Sequence, residues 1–309
     1  MNKKMILGII ALTLVIPSTS HANIKNSSLP VPALAILDTG LDTSVPSIKA
    51  KLIYEVCILE WTTCPNGQSF MEGPGASHIQ SPAINLNGFD HGTKMASAAL
   101  AANPNINIVF VRIIGQNINN DRQISEEKTV YNALNWVYAN KDRFNIQAVS
   151  LSQGRKINSV DLDYCPKTPT TQKSITDLLS AGIPTFAAVG NSRNYKQIDW
   201  PSCIPEAVAV GAGSKNGISL YNNYDPVLLD LYSIGQLRLA GPGNKVVSEA
   251  GSSVAAQTAA ANWIALKQFN PGYTIAQLND LIANKSKVIK MGKRFPQIGK
   301  LFELKTALS

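Results

Sequence analysis

The chain of 309 residues carries 28 lysines and arginines against 20 acidic residues and is 45% hydrophobic, enough to bury the core of one large domain without calling for a second. Its formal charge of +8 is modest and dispersed. The basic residues near the end (Lys285, Lys287, Lys290, Lys293, Arg294, Lys300, Lys305) lack the aromatic interleaving and the recognition helix of a nucleic-acid binder, so they read as a solvated face and no nucleic-acid partner is expected.

Lys3 and Lys4, the apolar run from Met5 to Ile16 and the small-residue site Ser20-His21-Ala22 form an export signal, with cleavage after Ala22. The run is shorter than the ~20 residues that span a bilayer, and no later run is longer, so no stable membrane anchor is expected. The mature domain is then residues 23–309, exported to a periplasm or to the outside. An even set of four cysteines in an exported chain favours disulfides over metal ligation or reactive thiols. Cys57 with Cys64 is the preferred local pair, which leaves Cys165 with Cys203, although sequence leaves the other connectivities open. No Cys-x-x-Cys occurs, the histidines lack zinc-ligand spacing, and no acidic cluster has calcium-loop spacing, so neither a metal nor any other cofactor is expected.

Short apolar runs alternate with helical periodicity from the first strand onward, the pattern of a parallel sheet covered by helices. Pro32 to Leu37 is a strand that runs directly into Asp38-Thr39-Gly40. The following stretch, rich in Pro, Gly and Asn, reads as loop as far as Gly88-Phe89-Asp90-His91-Gly92. A small-residue helix starts at His91 and carries Ala96, Ala98, Ala99 and Ala101; a strand follows at Ile108–Ile114. Val130, Leu134 and Val137 share one face of a helix from Glu126 to Asn140. Ile146–Leu151 is a buried strand, Thr171–Ser180 a helix, and Ile183–Val189 a strand ending at Gly190-Asn191. Two apolar runs, Ala207–Val210 and Val227–Tyr232, precede a helix that opens at Gly251-Ser252-Ser253.

A hydroxyl nucleophile needs a base for its proton, and the base needs an acceptor that sets its tautomer and stabilises the imidazolium. Once the leader is removed only His78 and His91 remain. His91 stands at a loop-to-helix junction, whereas His78 lies in a loop with no element behind it, and a base works best from a rigid support. Asp38, His91 and Ser253 all sit at strand or helix termini, where the carboxyl ends of an open parallel sheet place ligands.

Ala35-Ile36-Leu37-Asp38-Thr39-Gly40, Asp90-His91-Gly92-Thr93-Lys94-Met95-Ala96 and Gly251-Ser252-Ser253-Val254-Ala255-Ala256, in that order, resemble the aspartate, histidine and serine blocks of the subtilases, the subtilisin-type serine proteases. The resemblance covers nearly all of residues 33 to 266. It implies an α/β fold in three layers, a mainly parallel central sheet with helices on both faces. It also implies an exported serine endopeptidase acting on a peptide or protein substrate, with Asp38, His91 and Ser253 catalytic. Ala187-Ala188-Val189-Gly190-Asn191 is similar to the segment whose asparagine donates to the oxyanion, so the Asn191 amide and the Ser253 backbone N–H would form the oxyanion hole at the positive end of a helix. Ser150-Leu151-Ser152 and Ile113-Ile114-Gly115 resemble the two segments that flank an extended peptide by strand addition, although the same residues also read as plain sheet termini.

Several positions depart from the family pattern. Ser152 stands where glycine is usual, which implies a narrower specificity pocket. Gln257 replaces a common proline, Ser252 a threonine and Lys94 a frequent histidine, and Ser233-Ile234-Gly235 stands where Ala-Pro-Gly is common. Only a short stretch separates Ala22 from the first strand, where many secreted relatives carry a propeptide domain; the expectation is a chain that folds unaided or is restrained by a separate inhibitor. Calcium often stabilises such relatives. The rival reading is a catalytically inactive subtilase-fold peptide-binding protein. Aspartic proteases share Asp-Thr-Gly but need two such loops, and no Gly-x-Gly-x-x-Gly follows the first strand to suggest a nucleotide.

Overall fold

Every residue of β1 (Ala33–Asp38) is buried. Leu34 and Ile36 enter the core on one side of the sheet, Ala33, Ala35 and Leu37 the core on the other, which is why a strand covered on both faces reads as a continuous apolar run. The computed structural model describes residues 30–79, 88–116, 127–157, 165, 168–290 and 298–308; the predicted leader, residues 1–22, lies outside them. The chain divides into two units, Met1–Pro30 and Val31–Ser309, of which the second carries all the elements described.

After β1 come a one-turn helix α1 (Pro46–Lys49), β2 (Leu52–Ile58), β3 (Phe70–Glu72), α2 (His91–Ala102), β4 (Asn107–Arg112), α3 (Glu127–Asn140), β5 (Ile146–Leu151), α4 (Pro169–Ser180), β6 (Thr185–Ala188) and β7 (Val208–Ser214). Then follow β8 (Gly217–Ile218), β9 (Leu231–Ile234), a hairpin of β10 (Gln236–Ala240) and β11 (Val246–Ala250), α5 (Ser252–Phe269), α6 (Ile275–Lys285), β12 (Lys287–Lys290), β13 (Ile298–Leu301) and α7 (Leu304–Ala307). The central sheet has the order β12-β13-β9-β7-β6-β5-β1-β4-β2-β3, with β8 beside β7. Every pairing from β13 to β2 along that path is parallel. Residues of α2 and α5 build the core on one face and those of α3 and α4 the core on the other. The result is the expected three-layer α/β fold, mainly parallel at its centre.

Chain order reverses at β1, which has β4 on one side and β5 on the other. Its carboxyl end, at Asp38, therefore opens onto the crevice that such sheets reserve for ligands. α5 is the central helix of the site. From Val254 to Leu266 it is buried on every side, and its alanines let α2 and the sheet approach closely.

The stretch read as loop after Gly40 contains α1, β2 and β3; the run Leu-Ile-Tyr-Glu-Val-Cys-Ile of β2 has strand character and gains its partner only when β4 arrives alongside it. Of the apolar run Val227–Tyr232, only Leu231 and Tyr232 belong to a strand. Asp225 accepts the backbone N–H groups of Val227 (2.8 Å) and Leu228 (3.0 Å), closing a turn, so pairing with β7 begins only at Leu231 and continues to Ile234. His78, read as lying in a loop with no element behind it, is tethered: its carbonyl accepts Arg112 Nη1 at the end of β4 (2.9 Å). The helix predicted from Glu126 begins at Glu127, and residue 126 is outside the described set.

Candidate active site

Asp38 is the last residue of β1 and fully buried. Its Oδ1 accepts three donors: the Thr39 N–H (2.7 Å), His91 Nδ1 (2.7 Å) and Gln153 Nε2 (3.0 Å). Thr39 also fastens the two blocks together, donating from Oγ1 to Phe89 O (2.9 Å) and accepting the Gly92 N–H (2.8 Å). Gly92 is glycine because a Cβ would overlap Gly40 O and the Phe110 ring. His91, the first residue of α2, is thereby set against the end of β1.

Gln153 Nε2 also lies 3.0 Å from His91 Nδ1. Magnitudes decide how these groups share protons. A donor to an ionised carboxylate forms a bond about twice as strong as one to a neutral acceptor, so Nδ1–H and the Gln153 amide both point at Asp38. In the neutral imidazole this arrangement makes Nε2 the proton acceptor, on the far edge of the ring.

The nucleophile candidate is reached from the other side. Asn191 lies beyond the end of β6, and its Oδ1 accepts the Ser252 N–H (2.9 Å) and Ser252 Oγ (3.0 Å). Because a backbone N–H can only donate, the amide orientation is fixed and Nδ2 is the free donor end. Ser252 Oγ in turn accepts the Gly190 N–H (3.1 Å). A Cβ on Gly251 would stand 3.1 Å from Asn191 Nδ2, so a larger residue there would require the amide to give way.

Ser253 follows in the first turn of α5, at the positive end of an 18-residue helix. Its carbonyl accepts Ser152 Oγ (3.1 Å), and Ser152 Oγ accepts Gln257 Nε2 (3.1 Å). The two departures at Ser152 and Gln257 are therefore partners, and Ser152 is turned towards α5. Ser252 likewise finds its use as the anchor of Asn191. Hydrogen bonds join Asp38, His91 and Gln153, Ser152 and Ser253, and Ser252 and Asn191, and the three groups are linked through the consecutive residues Ser152-Gln153 and Ser252-Ser253. The Ser253 hydroxyl and the imidazole are not hydrogen-bonded to each other, and such bonds are often long before substrate is in place.

Lys94, one turn into α2, bridges Asp90 (3.0 Å) and Glu249 of β11 (2.6 Å), clamping the start of the histidine helix to the strand that precedes α5. Burial alone would lower its pKa, but the hydrogen bonds to Glu249 and Asp90 outweigh it and the net direction is upward. Arg112, pushed down to about 10 by burial, donates from Nε to Ile114 O (3.2 Å) and so shapes the segment after β4.

Among the predicted peptide-flanking residues, Ile113 donates its N–H to Asp38 O (2.8 Å). Ser150 and Leu151 are buried inside β5 with β1 on one side and β6 on the other, while Ser152 lies past the last pairing. Gln153, Thr39 and the Lys94 bridge were not anticipated; a polar residue directly after a predicted site strand was the available signal for Gln153. The four cysteines pair as Cys57–Cys64 and Cys165–Cys203. Among the described residues no group of three or more His, Cys, Asp or Glu converges, so they do not fit a carboxylate-rich calcium site.

A family model described as the subtilase family matches residues 32–300. The chain is similar to an alkaline protease of Alkalihalobacillus alcalophilus, 23% identical over 278 residues, 87% of this chain and 61% of that protein. It is 24% identical over 220 residues to alkaline elastase YaB of a Bacillus strain, 68% of this chain and 53% of that one. It therefore spans less than two thirds of those two proteins. With subtilisin Savinase of Lederbergia lenta it is 23% identical over 278 residues, 87% of each chain. Two solved structures share the fold: the epidermin leader peptide processing serine protease of Staphylococcus aureus (TM-score 0.70, 15% identity, 90% of this chain and 74% of that one) and the nisin leader peptidase of Lactococcus lactis (TM-score 0.69, 14% identity, 91% and 87%). At these identities the likeness is one of fold.

Proposed function

We propose that this chain, which belongs to the subtilase family, is an exported serine endopeptidase in which Ser253 is the nucleophile, His91 the general base and Asp38 its acceptor. The observation that carries the reading is the 2.7 Å bond from His91 Nδ1 to the buried Asp38, at the same carboxyl end of the sheet where Asn191 is tied to the first turn of α5. In the reaction His91 Nε2 takes the proton as Ser253 Oγ attacks a peptide carbonyl. The imidazolium that forms is stabilised by Asp38, and the same proton then passes to the leaving amine.

The oxyanion meets Asn191 Nδ2 and the Ser253 N–H at the positive end of α5. Because Ser252 already holds the asparagine, little reorganisation accompanies the attack. Loss of the comparable asparagine in a subtilisin, a relative, costs about 10²–10³ in turnover. Export is supported by the leader-like residues 1–22 and by two disulfides, which persist in oxidising compartments. Residues 23–309 then form the peptidase domain. Among the described residues no helix is long and apolar enough to cross a membrane.

The test is covalent labelling of the purified chain by a fluorophosphonate probe, with peptide cleavage measured in parallel. Labelling and cleavage that both vanish in Ser253→Ala support the reading. A folded wild type that neither labels nor cleaves favours an inactive peptide-binding protein.

A further inference from the structure

Where the β2–β3 hairpin turns, a cavity of about 410 Å³ opens between it and α3, a volume in the range of small-molecule sites. It lies at one margin of the sheet, since β3 is the last strand on that side and β2 and β4 separate it from β1 and Asp38. One wall is the hairpin, with Glu60, Ser69 and Phe70. The other is a single row of α3, where Lys128, Asn132 and Trp136 recur at every fourth position and so share one face of the helix.

Both walls are held in place. The Cys57–Cys64 disulfide closes the loop that carries Glu60 and Trp61. Within the hairpin the Leu59 N–H donates to Ser69 O (2.9 Å), the Cys64 N–H to Gln68 O (2.7 Å) and Asn66 Nδ2 to Phe70 O (3.0 Å). Lys128 Nζ donates to Glu60 Oε1 (2.7 Å), joining one wall to the other. Trp136 is fixed by its Nε1–H, which donates to Glu72 Oε2 (3.1 Å), and by stacking on Tyr54 with ring centroids 6.0 Å apart and planes 11° apart. On this firm support Phe70 still leaves 46% of its surface in water, and Trp61, next to Glu60, leaves 72%. A rigid turn that keeps two aromatic rings in water beside a cavity has the character of a binding surface.

The lining chemistry selects the ligand. Aromatic faces are negative and attract weakly positive C–H groups, while Ser69, Asn132, Glu60 and Lys128 supply a hydroxyl, an amide, a carboxylate and an ammonium, donors and acceptors together. A pyranose ring presents a face of C–H bonds and a rim of hydroxyls that both donate and accept, so it engages the rings and the polar groups at once. A proline-rich segment also docks on aromatic rings, but its side chains bring no hydrogen-bonding groups to these four. The charges of Glu60 and Lys128 cancel, so a charged ligand gains no net attraction. We propose that this cavity binds a neutral glycan, with Phe70 and Trp136 against the C–H face of a sugar and Asn132, Glu60 and Lys128 on its hydroxyls. Nothing in this assignment depends on the reaction at Ser253.

The experiment titrates the purified chain with cellohexaose, maltohexaose, mannohexaose and chitohexaose, following tryptophan fluorescence and heat, with a proline-rich peptide and dextran sulfate as the contrasting probes. At least one of the neutral hexasaccharides should bind and shift the emission of the tryptophans. Phe70→Ala and Asn132→Ala, each shown to be folded by circular dichroism, should weaken that binding about tenfold, the loss expected for one stacking platform or one hydrogen bond. Should Phe70→Ala fail to fold, Asn132→Ala still decides the point. The proposal is overturned if no hexasaccharide binds, if binding is the same in both variants, or if only the proline-rich peptide or dextran sulfate binds. Fluorophosphonate labelling of Ser253 is scored separately and should be unchanged in both variants, so loss of the peptidase reading and loss of the glycan site are told apart.

Discussion

Replacing Gln153 by methionine removes one donor from Asp38 while nearly conserving volume, so the change is electrostatic more than steric. Asp38 Oδ1 retains the Thr39 N–H and His91 Nδ1, each at 2.7 Å, and loses the longer Gln153 contact of 3.0 Å. A hydrogen bond to a charged group contributes about 1.5–3 kcal/mol, and the longest of three on one oxygen belongs at the low end. Relieved of that donor, Asp38 holds the imidazolium more strongly, so a higher pH is needed to free the base. At about 1.36 kcal/mol per pH unit, the acid limb of kcat/KM should move upward by about one unit. Gln153→Glu, which puts a second negative charge in the same place, should move it further the same way. The assay is kcat/KM for one peptide from about pH 5 to about pH 9, with urea unfolding to measure the accompanying loss of stability, about 1 kcal/mol. If the limb stays in place or moves down while activity drops equally at every pH, Gln153 merely packs and the reasoning is wrong.

Other outcomes follow from the same geometry. Lys94→Met should lower stability by about 1 kcal/mol, since Asp90 and Glu249 lose a partly buried partner; a thermal midpoint unchanged at low and high salt alike would show the clamp to be inert. Burial raises Asp199 from 3.8 to about 6 in the fold, so its ionisation opposes folding above that range and not below it. Discounted for its partial exposure, Asp199→Asn should therefore be more stable than wild type by about 1 kcal/mol near pH 8 and no more stable near pH 4, as measured by urea unfolding at both pH values.

Much of the architecture is legible in the sequence because the candidate site residues sit at boundaries. Asp38 ends an apolar run, His91 and Ser253 open helices of small residues, and Asn191 follows the strand that ends with Ala188. Each boundary is a local change of period that needs no tertiary knowledge. β2 was hidden because the residues around it, rich in Pro, Gly and Asn, outweigh seven residues whose pairing partner β4 comes much later in the chain. The apolar run at Val227 becomes strand only at its end, because the Asp225 side chain captures its first backbone N–H groups. Ser152 and Gln257 could each be recognised as unusual, yet their hydrogen bond joins residues 105 positions apart. Gln153 belongs to the same class, a polar group whose role exists only once the ends of β1 and β5 lie side by side.

A helix that touches solvent can absorb an enlarged side chain by leaning outward, but α5 is enclosed from Val254 to Leu266. Added bulk at Ala256 or Ala259 must displace the helix or its neighbours, and a displaced helix carries Ser253 with it. Random mutagenesis should therefore find activity-killing substitutions several turns away from the reacting bond, in proteins that remain folded and merely aim the alcohol badly.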